Sequence, residues 1–383
     1  MATTADDIGH MARAMQLAAM GLYSTSPNPR VGCVLVSDGQ VIGEGFHVAA
    51  GGPHAEINAL ASVAEGNRSR IAGATAYVTL EPCSHHGRTG PCCEALAEAG
   101  IGRLVYGMSD PNPSVSGRGL DYLQAAGVAV DGPLLEGEAR QLNPGFIKRM
   151  VSGRPWVRVK LAMSLDGRTA MASGESQWIT GPEARAQVQA LRARSCAVIS
   201  GHATVSYDRA RLTVRPEQLP PTATTPPAGH PQASGQRQPL RVVLDGEAGL
   251  TGSEPFFQAD GPILWVTSQQ AAVNGANIER MALPGAGRRV NLPTLLDELG
   301  RRQCNEVLVE AGATLAGEFL SQGLVDELVL FVAPVLLGSS ARPLLQLPLA
   351  SMAEKWPLQI TDCRAVGSDW QITARPAERP SQP

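Results

Sequence analysis

The sequence lacks any stretch near the roughly 18 uninterrupted apolar residues that a membrane-spanning helix requires. Its first residues, MATTADDIGH, hold neither a basic start nor an apolar run. Together these absences set the expectation of a cytoplasmic protein with no membrane partner. Dense Lys/Arg blocks are also missing and the formal net charge is -3, so the electrostatic footprint of a nucleic-acid binder is not there. A small anionic ligand held by a few placed arginines stays open. Cysteine is scarce, with seven in 383 residues, an odd number, which argues against a disulfide framework. Three of the seven crowd between Cys83 and Cys93, in a string that also holds two histidines, and that grouping points to metal binding.

The composition is 43% hydrophobic and 17% charged, an ordinary globular balance in a chain too long for one comfortable core, so two domains are expected. Asp7 is placed to cap a helix in which Ile8, Met11, Met15, Ala18 and Leu22 recur at the spacing of one buried face. VGCVLV and VIGEGF flank Asp38-Gly39 as a hairpin. ATAYVTL reads as a buried strand running into EPC, and a helix from about Cys92 to Ala99 should end at Gly100. RLVYG, LDYLQAAG and VAV continue the alternation, giving a first α/β domain over residues 1–148. RMVSGRP, at residues 149–155, has the charge, Gly and Pro of a linker. Beyond it WVRVKLAM, CAVISG, LRVVLD, PILWVT, NEVLVEAG and DELVLFVAP are strand candidates of a second α/β domain, residues 156–375. Residues 215–239 read as a mobile surface loop and residues 376–383 as a disordered tail. Thr180 with Glu183 has the pattern of a capping box.

A hydrolytic zinc needs about three protein ligands and one open position, where a bound water can fall to a pKa near 7. His54, Cys83 and Cys92 supply such a set, and two thiolates suit zinc better than a hard cation. Glu56, two residues after the histidine, can reach the water without ligating the metal and serve as general acid and base. The pattern is that of zinc deaminases, HxE followed by PCxxC. Here the spacing after Cys83 is longer and Cys92 adjoins Cys93, so the second thiolate is ambiguous by one residue. Pro91 before a helix start favours Cys92, because the helix N-terminus stabilises a thiolate. The competing reading is a closed four-ligand site that adds Cys93, His85 or His86, which would leave Glu56 without a task. Asn28, in SPNPRVG, and His47, after the hairpin, sit where a ligand could be contacted, although Asn between prolines is also a common turn residue.

TSPNPRVGCVLV, GPHAEINAL, ATAYVTLEPCSHHGRTGPCC, DPNPSVSGRGL and LNPGFIKRM resemble the deaminase half of the bifunctional riboflavin-biosynthesis deaminase/reductases. KLAMSLDGRTAMASGESQWIT, ATV with LTVR, and VEAGATLAGEFL with GLVDEL are similar to the reductase half, so the resemblance spans nearly the whole chain in order. It implies a cytidine-deaminase-like three-layer α/β/α domain followed by a dihydrofolate-reductase-like α/β domain. The first would use Zn2+ to hydrolyse the 2-amino group of a diaminopyrimidinone carrying a phosphoribosylamino substituent. The second would use NADPH to reduce the ribosyl group to ribityl. His85 and His86 either line a polar loop or, one of them, hydrogen-bond the pyrimidine or its phosphate, and His85 and Arg88 stand with Asn28 and His47 as the substrate candidates of the first domain. In the second, Ala162, Trp178, Thr204, Asp208, Gly246 and the run Gly312, Ala313, Thr314, Leu315, Ala316, Gly317 and Glu318 would contact NADPH. Ser176, Arg192, Leu212, Arg215 and Glu310 would hold the ribosyl phosphate, with Lys160 near the ribose. The family's Asp-Asp-Pro loop reads Asp208-Arg209-Ala210 here.

From the residues alone, VEAGATLAG places a strand end at Glu310 and a small-residue turn before a helix, which can offer backbone amides to a pyrophosphate or be a plain tight turn. Trp178 has core packing as its plain alternative, and Arg192 a solvated helix face. A homo-oligomer is the expectation. Two rival readings remain: a nucleic-acid base deaminase, and a deaminase whose C-terminal half is an inactive binding or oligomerisation module.

Overall fold

The first helix, α1 (Ala5–Ala19), starts earlier than an Asp7 cap would place it. Thr4 is the cap: its hydroxyl accepts from the Asp7 amide while the Asp7 carboxylate accepts from the Thr4 amide. Asp7 is therefore the third residue of a capping box, free to point inward, and Leu22 falls beyond the helix end. β1 (Gly32–Ser37) and β2 (Gln40–Phe46) pair antiparallel around Asp38-Gly39, both at positive φ as a two-residue hairpin turn requires. α2 (Ala55–Ser62), β3 (Thr75–Val78), α3 (Cys92–Glu98), β4 (Arg103–Tyr106), α4 (Arg118–Ala125), β5 (Ala129–Asp131), α5 (Glu136–Leu142) and α6 (Pro144–Ser152) follow. The computed structural model describes residues 4–85, 90–112, 115–220, 237–269 and 277–377. The candidate loop at residues 215–239 and the tail fall largely outside them.

Strand order in the first sheet is β2-β1-β3-β4-β5, with β3, β4 and β5 parallel. Alternating side chains serve two cores. Cys33, Leu35, Ala76, Val78 and Leu104 meet Ala55 and Ala59 of α2, Leu96 of α3 and Leu123 of α4. Val34, Val36, Tyr77 and Val105 meet Met11, Ala14 and Leu17 of α1 on the opposite face. Helices thus cover both faces, as three α/β/α layers demand. At Gly45 a Cβ would sit 2.3 Å from the Ala59 amide and 2.5 Å from the Ala55 carbonyl, so β2 lies directly against the helix that carries Glu56.

RMVS of the linker candidate is the last turn of α6, which Gly153 closes at positive φ, and the chain parts into two compact units after that glycine. The second unit contains β6 (Trp156–Ser164), β7 (Arg168–Ala170), α7 (Pro182–Arg194), β8 (Ala197–Gly201), α8 (His202–Ser206), β9 (Leu240–Leu244), α9 (Pro255–Gln258) and β10 (Ile263–Thr267). It continues with β11 (Ile278–Ala282), α10 (Leu292–Arg301), β12 (Glu306–Glu310), α11 (Ala313–Ser321), β13 (Glu327–Ala333), β14 (Arg342–Pro343), β15 (Leu358–Val366) and β16 (Asp369–Pro376). The main sheet runs β11-β10-β9-β8-β12-β6-β13-β16-β15. Its strands from β11 to β13 are parallel; apart from the half-buried edge strand β11 they pack between α10 and α11 on one face and α7 and α9 on the other, which is why AVI, VVL, ILWV and VLV of β8, β9, β10 and β12 read as apolar runs. α7 is capped by Gly181 with Pro182 in its first turn, not by the expected Thr180–Glu183 box. The Thr180 carbonyl accepts from Arg185, and the Gly181 amide donates to Asp369. No described helix is long and apolar enough to cross a membrane.

Candidate active sites

In the first unit His54 stands at the cap of α2, Cys83 just past β3, and Cys92 opens α3 behind Pro91. Their ligand atoms all lie within 4.8 Å of one another. His54 Nδ1 is 3.5 Å from Cys83 Sγ and 3.3 Å from Cys92 Sγ. Zinc at ordinary Zn–S and Zn–N lengths in a tetrahedron separates such atoms by about 3.5 Å, so the cluster fits that ion. The Cys92 amide, free at a helix start, donates to Cys83 Sγ at 3.3 Å. The Cys83 thiol is driven down by its hydrogen bond from Cys92, against burial and with help from His54. His54 itself is raised, first by its bond to Cys83.

Cys93 points the other way, into the core with Leu96 and Cys33, and burial pushes its thiol up to about 11. Glu56, in the first turn of α2, is buried beside the cluster, where burial and then the Cys83 charge push its carboxyl up to about 7. His47 stands edge-on to His54 with centroids 5.3 Å apart. Its Nδ1 donates to the Pro53 carbonyl at 2.9 Å and its Nε2 accepts from the Asn28 amide at 3.1 Å. Burial lowers its pKa, in keeping with a neutral ring. Both His47 nitrogens are therefore spent on the protein, and this ring braces the Pro53-His54 corner. His85 is exposed, while His86 and Arg88 lie outside the described residues.

In the second unit a cavity of about 2100 Å³ follows the carboxyl ends of the parallel strands, where open α/β sheets bind ligands. Ser176, Arg192, Leu212, Arg215, Glu310 and Lys160 all line it, and so do Ala162, Trp178, Thr204, Asp208 and Gly246. Gly312, Ala313, Thr314, Leu315 and Glu318 line it at the start of α11, where first-turn amides have no partner within the helix. Ala316 and Gly317 do not reach it: Ala316 packs in the core, and a Cβ on Gly317 would sit 2.3 Å from the Gln346 carbonyl. Trp178 is 69% exposed under the Arg185 guanidinium, not core.

Nor is Arg192 a solvated helix face. Its fork grips Glu310 at 2.5 and 3.0 Å and donates to the Thr213 carbonyl, so the expected phosphate fork is occupied within the protein. Lys160 Nζ stands 4.0 Å from the same carboxylate. Burial works against the Glu310 charge, but Arg192 and Lys160 outweigh it, and burial lowers Lys160. In the altered loop Arg209 takes φ 51°, yet Asp208, Arg209 and Ala210 still border the cavity.

Two features escaped the reading of the sequence. Asp245 accepts from His202 Nδ1, the Gly249 and Leu250 amides and Trp265 Nε1, and His202 lines the cavity. His202 follows β8, Asp245 follows β9 and Trp265 lies in β10, so the group is assembled across the sheet, with His202 and Asp245 43 residues apart in the chain. Glu81, in EPC, is buried and accepts from the amides of Asp110, Gly117 and Gly119. Its closeness to Cys83 in the sequence was the available signal.

Residues 4–108 match the cytidine and deoxycytidylate deaminase zinc-binding region, and residues 155–372 match the RibD C-terminal domain. Riboflavin biosynthesis protein RibD of Escherichia coli is 49% identical over 94% of this chain and 96% of its own. That of Haemophilus influenzae is 46% identical over 97% and 98%. Among solved structures, Acinetobacter baumannii RibD superposes with TM-score 0.87 at 42% identity, covering 97% of this chain and 99% of that one. A Thermotoga maritima diaminohydroxyphosphoribosylaminopyrimidine deaminase/5-amino-6-(5-phosphoribosylamino)uracil reductase gives 0.85 at 33%, over 97% and 99%. The chain thus belongs to the RibD family: it is a bifunctional riboflavin-biosynthesis enzyme, a zinc-dependent deaminase joined to an NADPH-dependent reductase.

Proposed function

We propose that His54, Cys83 and Cys92 hold the zinc and that Glu56 is the proton carrier of the deaminase. The carrying observation is the convergence of one imidazole and two sulfurs within 4.8 Å beside a buried carboxyl. Bound there, zinc supplies a Lewis acid that brings the pKa of water to near 7. Glu56, buried beside that position, would hold the proton given up by the attacking water and return it to the departing 2-amino group, so one carboxylate would serve both halves of the hydrolysis. The substrate is 2,5-diamino-6-(5-phosphoribosylamino)pyrimidin-4(3H)-one, with Asn28 and His85 on its side of the site.

In the reductase half the first-turn amides of α11 would receive the NADPH pyrophosphate, and Thr204, Asp208 and Gly246, which line the same cavity, would hold the cofactor. NADPH supplies the hydride. Lys160, held beside Glu310 and Arg192, positions the ribosyl carbon that is reduced, with Ser176 and Arg215 toward the phosphate. The net charge of -3 and the lack of basic blocks support a small diffusible substrate rather than nucleic acid or a membrane surface. We place the enzyme in the cytoplasm as a homo-oligomer, whose size light scattering measures. Mass spectrometry of the ribotide products tests the two-site reading: without NADPH the deaminated ribosyl compound accumulates, and with NADPH the ribityl compound replaces it. Ammonia release that stops without NADPH contradicts it.

A further inference from the structure

The group gathered on Asp245 has no task in the reactions above. Its carboxylate is 1% exposed and holds four donors: His202 Nδ1 at 2.9 Å and the Gly249 amide at 3.0 Å on Oδ1, the Leu250 amide at 3.0 Å and Trp265 Nε1 at 3.1 Å on Oδ2. Of these four, the imidazole is the one side chain that lines the cavity, and it is 40% exposed there. The ring lies against Gly249, where a Cβ would come within 2.9 Å of Cε1, so the loop leaves it room. With Nδ1 committed to Asp245, Nε2 is the free corner of the ring, and no described residue bonds it. A second base comes to the same strand ends. A Cβ on Gly246 would lie 2.1 Å from the Arg288 carbonyl, so the turn between β11 and α10 rests on the residue next to Asp245. Arg289 of that turn is tied to Glu318 of α11 at 3.0 Å, whereas Arg288 lines the cavity and makes no ion pair among the described residues.

Sheet order says what meets these groups. The strands run β9-β8-β12-β6, and α11 follows β12. Lys160 and Ala162 sit on β6, to one side of β12, while His202 and Asp245 follow β8 and β9 on the other. With the pyrophosphate on α11 and the hydride end turned toward β6, the adenosine half has the β8–β9 side left to occupy. NADPH differs from NADH there by one phosphate, on the 2′ oxygen. We propose that His202, braced by Asp245, and Arg288 recognise that 2′-phosphate and so select NADPH over NADH. This rests on the reading that the first-turn amides of α11 receive the pyrophosphate. An arginine fork and an imidazolium both donate charge-assisted hydrogen bonds to phosphate oxygens, and a carboxylate behind the ring favours its charged form.

The test titrates the full-length protein with NADPH, NADH, 2′,5′-ADP and AMP by calorimetry, so that binding is read without turnover. The parent is expected to prefer each 2′-phosphorylated ligand to its plain counterpart. His202→Ala and Arg288→Ala should each weaken NADPH and 2′,5′-ADP by about tenfold or more, the worth of a charge-assisted hydrogen bond, and leave NADH and AMP within about twofold of the parent. Arg288→Lys, which keeps the charge but not the fork, should recover part of the loss. A merely structural role weakens all four ligands together, because a distorted cavity does not tell a phosphate from a hydroxyl. Equal losses of NADPH and NADH in His202→Ala, an NADPH affinity unchanged in it, or a parent that binds the two cofactors alike would each overturn the assignment. The α11 reading is checked apart, with Gly312→Asp. Gly312 caps α11 with open space where a side chain would go, and a carboxylate there takes the free amides and repels the pyrophosphate. NADPH and NADH should then weaken together; unchanged binding would remove the α11 reading and, with it, the ground for this placement.

Discussion

Cys92 and Cys93 are neighbours in the chain with opposite environments, because consecutive helical residues point about 100° apart. Cys92 faces His54 while Cys93 is packed against Leu96. Cys92→Ser is therefore expected to lose zinc and ammonia release together. Cys93→Ser should keep a full zinc complement and lose about 1 kcal/mol of stability from a buried hydroxyl, read by metal analysis and urea titration. The His54, Cys83 and Cys92 cluster was legible because each of its members sits in a short motif whose chemistry is local. Helix phase, not composition, separates the two thiols. The Arg192–Glu310 pair was illegible for the opposite reason: its partners are 118 residues apart and meet only when α7 packs beside β12. Arg192→Lys keeps the charge but loses the fork, at an expected cost of about 1.5–3 kcal/mol and with a raised reductase KM. Unchanged stability and KM would remove the pair from any role.

At the scale of elements, α1 is tied to the sheet through one carboxylate. Asp7 accepts from Tyr77 Oη and Arg103 Nη1, both at 2.7 Å, besides the Thr4 amide. Burial opposes its charge, but Arg103, Thr4 and Tyr77 hold its pKa far below the usual carboxylate range. The sign follows from that depression. The contribution is complete above the unfolded carboxylate pKa of about 3.9 and fades as pH falls from there toward the depressed folded value. Asp7→Asn should cost about 3 kcal/mol near neutrality and flatten the loss of stability below about pH 4, as urea midpoints across pH would record. A parallel downward shift at every pH would contradict this. Asp7 was legible as a helix-start residue but not as the link to β3 and β4, since a cap and a capping-box third position look alike in a string of acids. Gly45 makes a second element-scale case. Gly45→Ala pushes β2 off α2, with an overpacking cost of about 1–3 kcal/mol and a fall in deaminase kcat as Glu56 moves, while NADPH oxidation is unaffected.

For the molecule as a whole, the alternation of strand and helix made two α/β units readable, because strand and helix periods are written locally. The order of the nine described strands in the second sheet was not, since parallel neighbours such as β6, β12 and β13 are chosen by packing across long crossovers. The two chemistries draw on different residues in different units, so a chelator should stop ammonia release and leave reduction of deaminated ribotide intact. The most direct test of the account is Glu56→Gln, assayed for bound zinc and ammonia release in the same preparation. One zinc per chain, a fall in deamination of about 10²-fold or more and a normal reductase rate are predicted; near-normal ammonia release in that variant would contradict it.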